Sequence, residues 1–156
     1  MSSHDEVLAT LRQQISNEPD ADRALILAVA TLKKMMPDYS WVGIYLLDGN
    51  ELVLGPFEGK PSPHTHIPLG RGICGAAAAE KATIIVDDVN ADPRYLACSL
   101  ETKSEIVVPI MKGGEVLGEI DIDSDRLAAF GAADQKMLEA VAALLAERMN
   151  PPPTTD

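Results

Sequence analysis

The chain has 156 residues, 46% hydrophobic and 24% charged, which suits one globular domain with its own core and is too short for two ordinary ones. Its 24 acidic and 13 basic residues give a formal charge of -11, which repels phosphate backbones and anionic lipid and so argues against nucleic acid and membrane partners. No apolar run approaches the roughly 20 residues that span a bilayer, and residues 1–7 have neither the basic stretch nor the apolar core of a secretion signal. A cytoplasmic, reducing location is therefore expected, in which any disulfide is transient.

Ser3 and Glu6 have the spacing of a capping box opening a helix to about Ser16, and Pro19 and Asp20 begin a second, whose Leu25, Val29, Leu32 and Met36 recur at helical spacing. Residues 40–48 alternate as a strand, Gly49 and Asn50 supply a tight turn, and residues 51–57 return as the second arm of a hairpin. A short strand at 66–68 leads through Gly70, Arg71 and Gly72 into an alanine-rich helix over about 74–81, followed by a strand at 83–86. Residues 90–100 read as irregular or briefly helical. Gly113 and Gly114 then turn a second hairpin between 105–111 and 116–123, and a last helix runs over about 132–149. One domain thus occupies 1–149, and the proline-rich residues 150–156 form a disordered tail.

Alternation on a strand decides which side chains meet. Trp41, Gly43 and Tyr45 share one face of the first strand, opposite the aliphatic Val42, Ile44 and Leu46. On the last strand Leu117, Glu119, Asp121 and Asp123 fall together, opposite Ile120 and Ile122, and Glu105 opens the neighbouring arm. Acids in this pattern form either a solvated face or, beside an indole and a phenol, a cage for an ammonium group. The Gly-Arg-Gly-Ile-Cys-Gly segment at 70–75 has the opposite preference, because free N–H groups at a helix start favour an anion, although the same glycines also suit a plain turn. Taken together, the two ends suit a zwitterion, of which a free amino acid is the commonest small example.

There are two cysteines. Cys74 lies at the helix start, a setting that favours thiolate, whereas Cys98 lies in a loop-like stretch with no visible activator and acids nearby. Inert burial of both thiols is the competing reading.

Five blocks, at 40–47, 52–60, 67–75, 97–98 with 104–109, and 118–124, resemble the free methionine-(R)-sulfoxide reductases, single GAF-domain enzymes. The resemblance implies an α+β fold with an antiparallel six-stranded sheet flanked by helices, an enclosed site on the face opposite the terminal helices, and a homodimer formed through those helices. It implies that Cys98 attacks the sulfoxide sulfur, and that Cys74 resolves the resulting sulfenic acid as a disulfide for a thioredoxin-type reductant. It also implies that Glu105, Asp121 and Asp123 hold the substrate ammonium and help protonate the sulfoxide oxygen, that Trp41 and Tyr45 wall the methyl-sulfoxide pocket, and that Gly72 and Ile73 contribute from the helix start.

One position departs from the pattern. Many members carry a third cysteine ten residues before the one matched by Cys74, where this chain has His64. His64 and His66 alternate on one strand face and, with Cys74, fall short of a clear metal-ligand set, so neither a metal nor another cofactor is expected. The alternatives to an enzyme are a non-catalytic GAF sensor of a small molecule and a methionine sulfoxide binding protein.

Overall fold

The computed structural model describes residues 3–96 and 100–149. Helix α1 (His4–Ser16) starts where the Ser3 hydroxyl accepts the Glu6 N–H, and α2 (Ala21–Met35) starts where the Asp20 carboxylate accepts the Arg23 N–H. The strands are β1 (Trp41–Asp48), β2 (Glu51–Glu58), β3 (His66–Pro68), β4 (Ile84–Val86), β5 (Ser104–Lys112) and β6 (Glu115–Ser124). Helix α3 (Gly72–Glu80) lies between β3 and β4, and α4 (Ala132–Arg148) ends the fold. Between β4 and β5, only a short 3-10 turn (Val89–Ala91) forms in the described part of the connection.

All strand pairings are antiparallel, in the order β3-β2-β1-β6-β5-β4, so this is an α+β fold with a six-stranded sheet. The long central strands β1, β5 and β6 divide their side chains between two cores. Val42, Ile44, Ile106, Val108, Ile120 and Ile122 pack against α1, α2 and α4, whereas Tyr45, Val107, Val116 and Trp41 pack with α3. Because the sheet is covered on both sides, β5 and β6 are buried along nearly their whole length, and polar residues on them are forced inside.

Two expectations change. Strict alternation groups Leu117 with the acids, yet Leu117 packs into the core of the terminal helices while Val116 joins the α3 side. The cause is a register shift on the β5/β6 ladder, where Ile110 pairs with Gly118 but Met111 with Val116, leaving Leu117 as the extra residue of a bulge. Helix α3 begins at Gly72, two residues earlier than its alanines suggest. Gly72 lies at φ +68 with Leu96 packed where a Cβ would stand, so the helix start and the 94–96 segment meet closely.

Candidate active site

The acids gather through strand register. Glu119, Asp121 and Asp123 alternate along β6 on the side of the sheet facing α3, and cross-strand pairing puts Glu105 of β5 beside Asp123 and Val107 beside Asp121. All four carboxyls are buried, with Glu119 at 0% exposure. No lysine or arginine is buried with them among the described residues. Cys74, on the first turn of α3, is buried over them, and one ligand atom each from Cys74, Glu105 and Asp121 lie within 4.8 Å of one another.

Four acids without a basic partner cannot all stay ionised in a dry site. Burial is the largest influence on Glu119, Asp121 and Asp123, and it pushes each above the usual carboxylate range. The Asp121 charge adds to this for Glu119 and Asp123. In the other direction, hydrogen bonds from Glu105 favour the charged forms of Asp121 and Asp123, and the Cys74 thiol favours those of Asp121 and Glu119. A hydrogen bond between Glu105 and either aspartate requires a proton between the two carboxyls. Even so, Oδ1 of Asp121, Oδ1 of Asp123 and both oxygens of Glu119 accept no hydrogen bond of ordinary geometry.

Cys74 differs from the expectation for a helix start. Burial, followed by the charges of Asp121, Glu119 and Glu105, pushes its thiol well above the ordinary cysteine value. The helix field is outweighed because the carboxylates are closer and the surroundings are dry. Cys74 is a protonated thiol at rest.

Two recesses border the cluster. A larger one, about 80 Å³, is lined by Trp41, Lys60, Thr102 and Asp123, among others, and a smaller one, about 20 Å³, by Tyr45, His64, Gly72, Ile73, Cys74, Glu105 and Asp121. They adjoin through the Glu105–Asp123 pair. The polar atoms of the two aromatics are already engaged, since the Trp41 indole N–H donates to the Lys60 carbonyl and the Tyr45 hydroxyl to the His64 carbonyl, each at 2.8 Å. These bonds pin residues 60–64 across the site. The Trp41 ring lies over Gly43, where a Cβ would come within 2.2 Å of it, and stacks on Phe57 with centroids 5.8 Å apart. On the opposite side, the α3 N-cap residue, Arg71, gives no side-chain cap, which leaves the helix start at Gly72 and Ile73 available to an anion in the smaller recess.

The GAF domain family model matches residues 3–149. The free methionine-R-sulfoxide reductase of Escherichia coli is 38% identical over 74% of this chain and 70% of its own length, and the Saccharomyces cerevisiae enzyme is 45% identical over 72% and 64%. The crystal structure of the Neisseria meningitidis free methionine-R-sulfoxide reductase in complex with its substrate superposes with a TM-score of 0.90 at 39% identity, over 95% of this chain and 92% of that one. The chain belongs to the GAF-domain free methionine-R-sulfoxide reductase family.

Among the residues expected to serve as a free methionine-R-sulfoxide reductase site, Tyr45, Gly72, Ile73, Cys74, Glu105 and Asp121 come together around the smaller recess, and Trp41 and Asp123 line the larger one. Cys98 lies outside the described residues. His64 lines the smaller recess whereas His66 is exposed on β3, so the two histidines and Cys74 do not gather. Sequence reasoning missed Lys60, which borders the larger recess and pairs with Glu101. It also passed over Glu119. Its place in the alternating run was visible, but its complete burial follows from α3 covering that part of the sheet, which no local pattern announces. Among the described residues, no helix is long and apolar enough to cross a membrane.

Proposed function

We propose that this protein reduces free L-methionine-(R)-S-oxide to methionine by thiol chemistry. The observation that carries this reading is the convergence of a buried acid cluster, an uncapped helix start and the Cys74 thiol on one small recess. The acids suit the substrate ammonium and the N–H groups of α3 its carboxylate, so a free amino acid is held by both ends.

The Cys98 thiolate attacks the sulfoxide sulfur while one of the buried carboxylic acids protonates its oxygen, which leaves as water from a sulfur–sulfur sulfonium adduct. Water then attacks the Cys98 sulfur and the sulfur–sulfur bond breaks, so methionine leaves and Cys98 is left as a sulfenic acid. An acid whose protonated form is favoured by burial is suited to that proton transfer, and burial raises both Asp121 and Asp123. The Cys74 thiol then loses its proton to a neighbouring carboxylate and attacks the sulfenic sulfur. A Cys74–Cys98 disulfide forms and water leaves, carrying the sulfenic oxygen. A thioredoxin-type dithiol returns the pair to the reduced state in the cytoplasm. The protein works as a homodimer formed through its terminal helices, where Ile26 of α2 is 55% exposed.

The test is consumption of a dithiol reductant with free methionine (R)-sulfoxide or free (S)-sulfoxide, using wild type and Cys98→Ser. Turnover of the (R) epimer alone, abolished by the substitution, is expected. Tight binding without turnover would instead identify a sensor or carrier of the sulfoxide.

A further inference from the structure

We infer that the recess between α3 and β6 is also a binding site for one thiophilic divalent cation, of the zinc type, held by Cys74 Sγ, Glu105 and Asp121. The three donor atoms come from three separate elements, α3, β5 and β6, yet lie within 4.8 Å of one another, and all three residues are buried. A tetrahedral zinc ion with bonds of about 2.0–2.3 Å spaces its ligands about 3.3–3.8 Å apart. Side-chain adjustments of roughly an ångström therefore close the set, leaving a fourth position for water. A thiolate with two carboxylates is a donor set that zinc accepts and magnesium or calcium, which take oxygen alone, do not.

An independent observation also points to a cation. Asp121 lines the recess at 3% exposure with its Oδ1 accepting no hydrogen bond. Buried acceptors without donors carry a desolvation cost that a bound cation removes. The recess, about 20 Å³, has room for one water or one desolvated ion and is bordered by His64, whose carbonyl the Tyr45 hydroxyl holds. On binding, the cation displaces the thiol proton of Cys74 to solvent and occupies the charges proposed for the substrate ammonium, so metal and amino acid exclude each other.

The geometry of the cation site stands without the reductase reading; only the competition depends on it. The experiment titrates Zn2+ and Cd2+ into the reduced Cys98→Ser protein, which leaves Cys74 as the sole thiol, and follows heat and the ultraviolet thiolate-to-cadmium charge-transfer band. One ion per chain with that band is expected. Cys74→Ser in the same background should abolish the band, and Asp121→Asn or Glu105→Gln should weaken binding roughly 10–100-fold or more, at least what loss of an outer-shell partner costs. Absence of the band, or affinity indifferent to all three substitutions, overturns the site. Free methionine (R)-sulfoxide should raise the apparent dissociation constant for Zn2+ in proportion to its concentration. Cadmium binding that gives the band but is indifferent to the sulfoxide would uphold the cation site and count against the placement of the substrate.

Discussion

Glu119 is the residue whose environment departs furthest from what its type prefers. It is fully buried between Tyr45 of β1 and Pro109 of β5, and neither oxygen accepts a hydrogen bond of ordinary geometry, the Cys74 thiol offering only a weak one. Replacing an unsatisfied buried acid by an apolar side chain of similar size removes its desolvation cost, so Glu119→Leu should stabilise the fold by about 1–3 kcal/mol. The pH dependence has a definite sign. Because the folded state holds Glu119 above its usual value, the native protein binds more protons than the unfolded chain, and this contribution to stability falls as pH rises above the unfolded value of about 4.3. Urea titrations should therefore show the Glu119→Leu advantage widening between pH 5 and pH 8. An advantage that shrank over this range would mean the carboxyl is stabilised as an anion. At Cys74, burial and then the neighbouring carboxylates keep the thiol protonated. Cys74→Ser should spare one stoichiometric round of sulfoxide reduction and block the following ones, which rapid-quench counting of methionine per chain would measure.

The elements are joined away from the site by one carboxylate. Asp134, in the first turn of α4, accepts from the Tyr39 hydroxyl at 2.6 Å and the Gly131 N–H at 2.9 Å, and it contacts His4 Nε2 of α1 at 3.0 Å. It thus ties α1, the lead into β1 and α4 at one point. Burial by itself would raise Asp134, but the bonds from Tyr39, Gly131 and His4 together outweigh it and hold the carboxyl below its usual range. Its contribution is accordingly present above the unfolded aspartate value of about 3.9 and lost as pH falls through the lower folded one. Asp134→Asn should cost about 1.5–3 kcal/mol at neutral pH, by the worth of hydrogen bonds to a charged group. In thermal melts the difference from wild type should vanish toward pH 2. At this scale the sequence was legible where the period was regular: the two hairpins, the paired faces of β1 and the helices α1, α2 and α4. It was not legible at Leu117, because alternation counts residues and a bulge adds one without changing composition. Nor was it legible at Asp134, whose partners Tyr39 and His4 lie far away in the chain.

For the molecule as a whole, the motif blocks were enough to bring the acids, the aromatics and the helix start into one neighbourhood, because each block is a short run whose local form is fixed. The chemistry of Cys74 was not recoverable in this way. A helix start predicts thiolate from local geometry alone, whereas the groups that reverse the prediction, Glu105, Glu119 and Asp121, arrive on strands much later in the chain. On the proposed function, the same convergence governs which molecules the site admits: a buried acid cluster on one side and the α3 N-terminus on the other are the groups to meet two terminal charges, and a peptide bond removes both. Leaving a buried charged partner unpaired costs about 2–5 kcal/mol, or roughly 30- to 5,000-fold in kcat/KM. N-acetyl methionine sulfoxide, which lacks the ammonium, and methionine sulfoxide amide, which lacks the carboxylate, should each lose activity within that range, and a sulfoxide inside a peptide should lose more than either. The acetylated substrate tests the acids and the amide tests the helix start. If Asp121→Asn lowers activity on the free amino acid while leaving the N-acetyl compound unchanged, the ammonium lies at Asp121; equal losses on both would place the role of that carboxyl in protonating the sulfoxide oxygen.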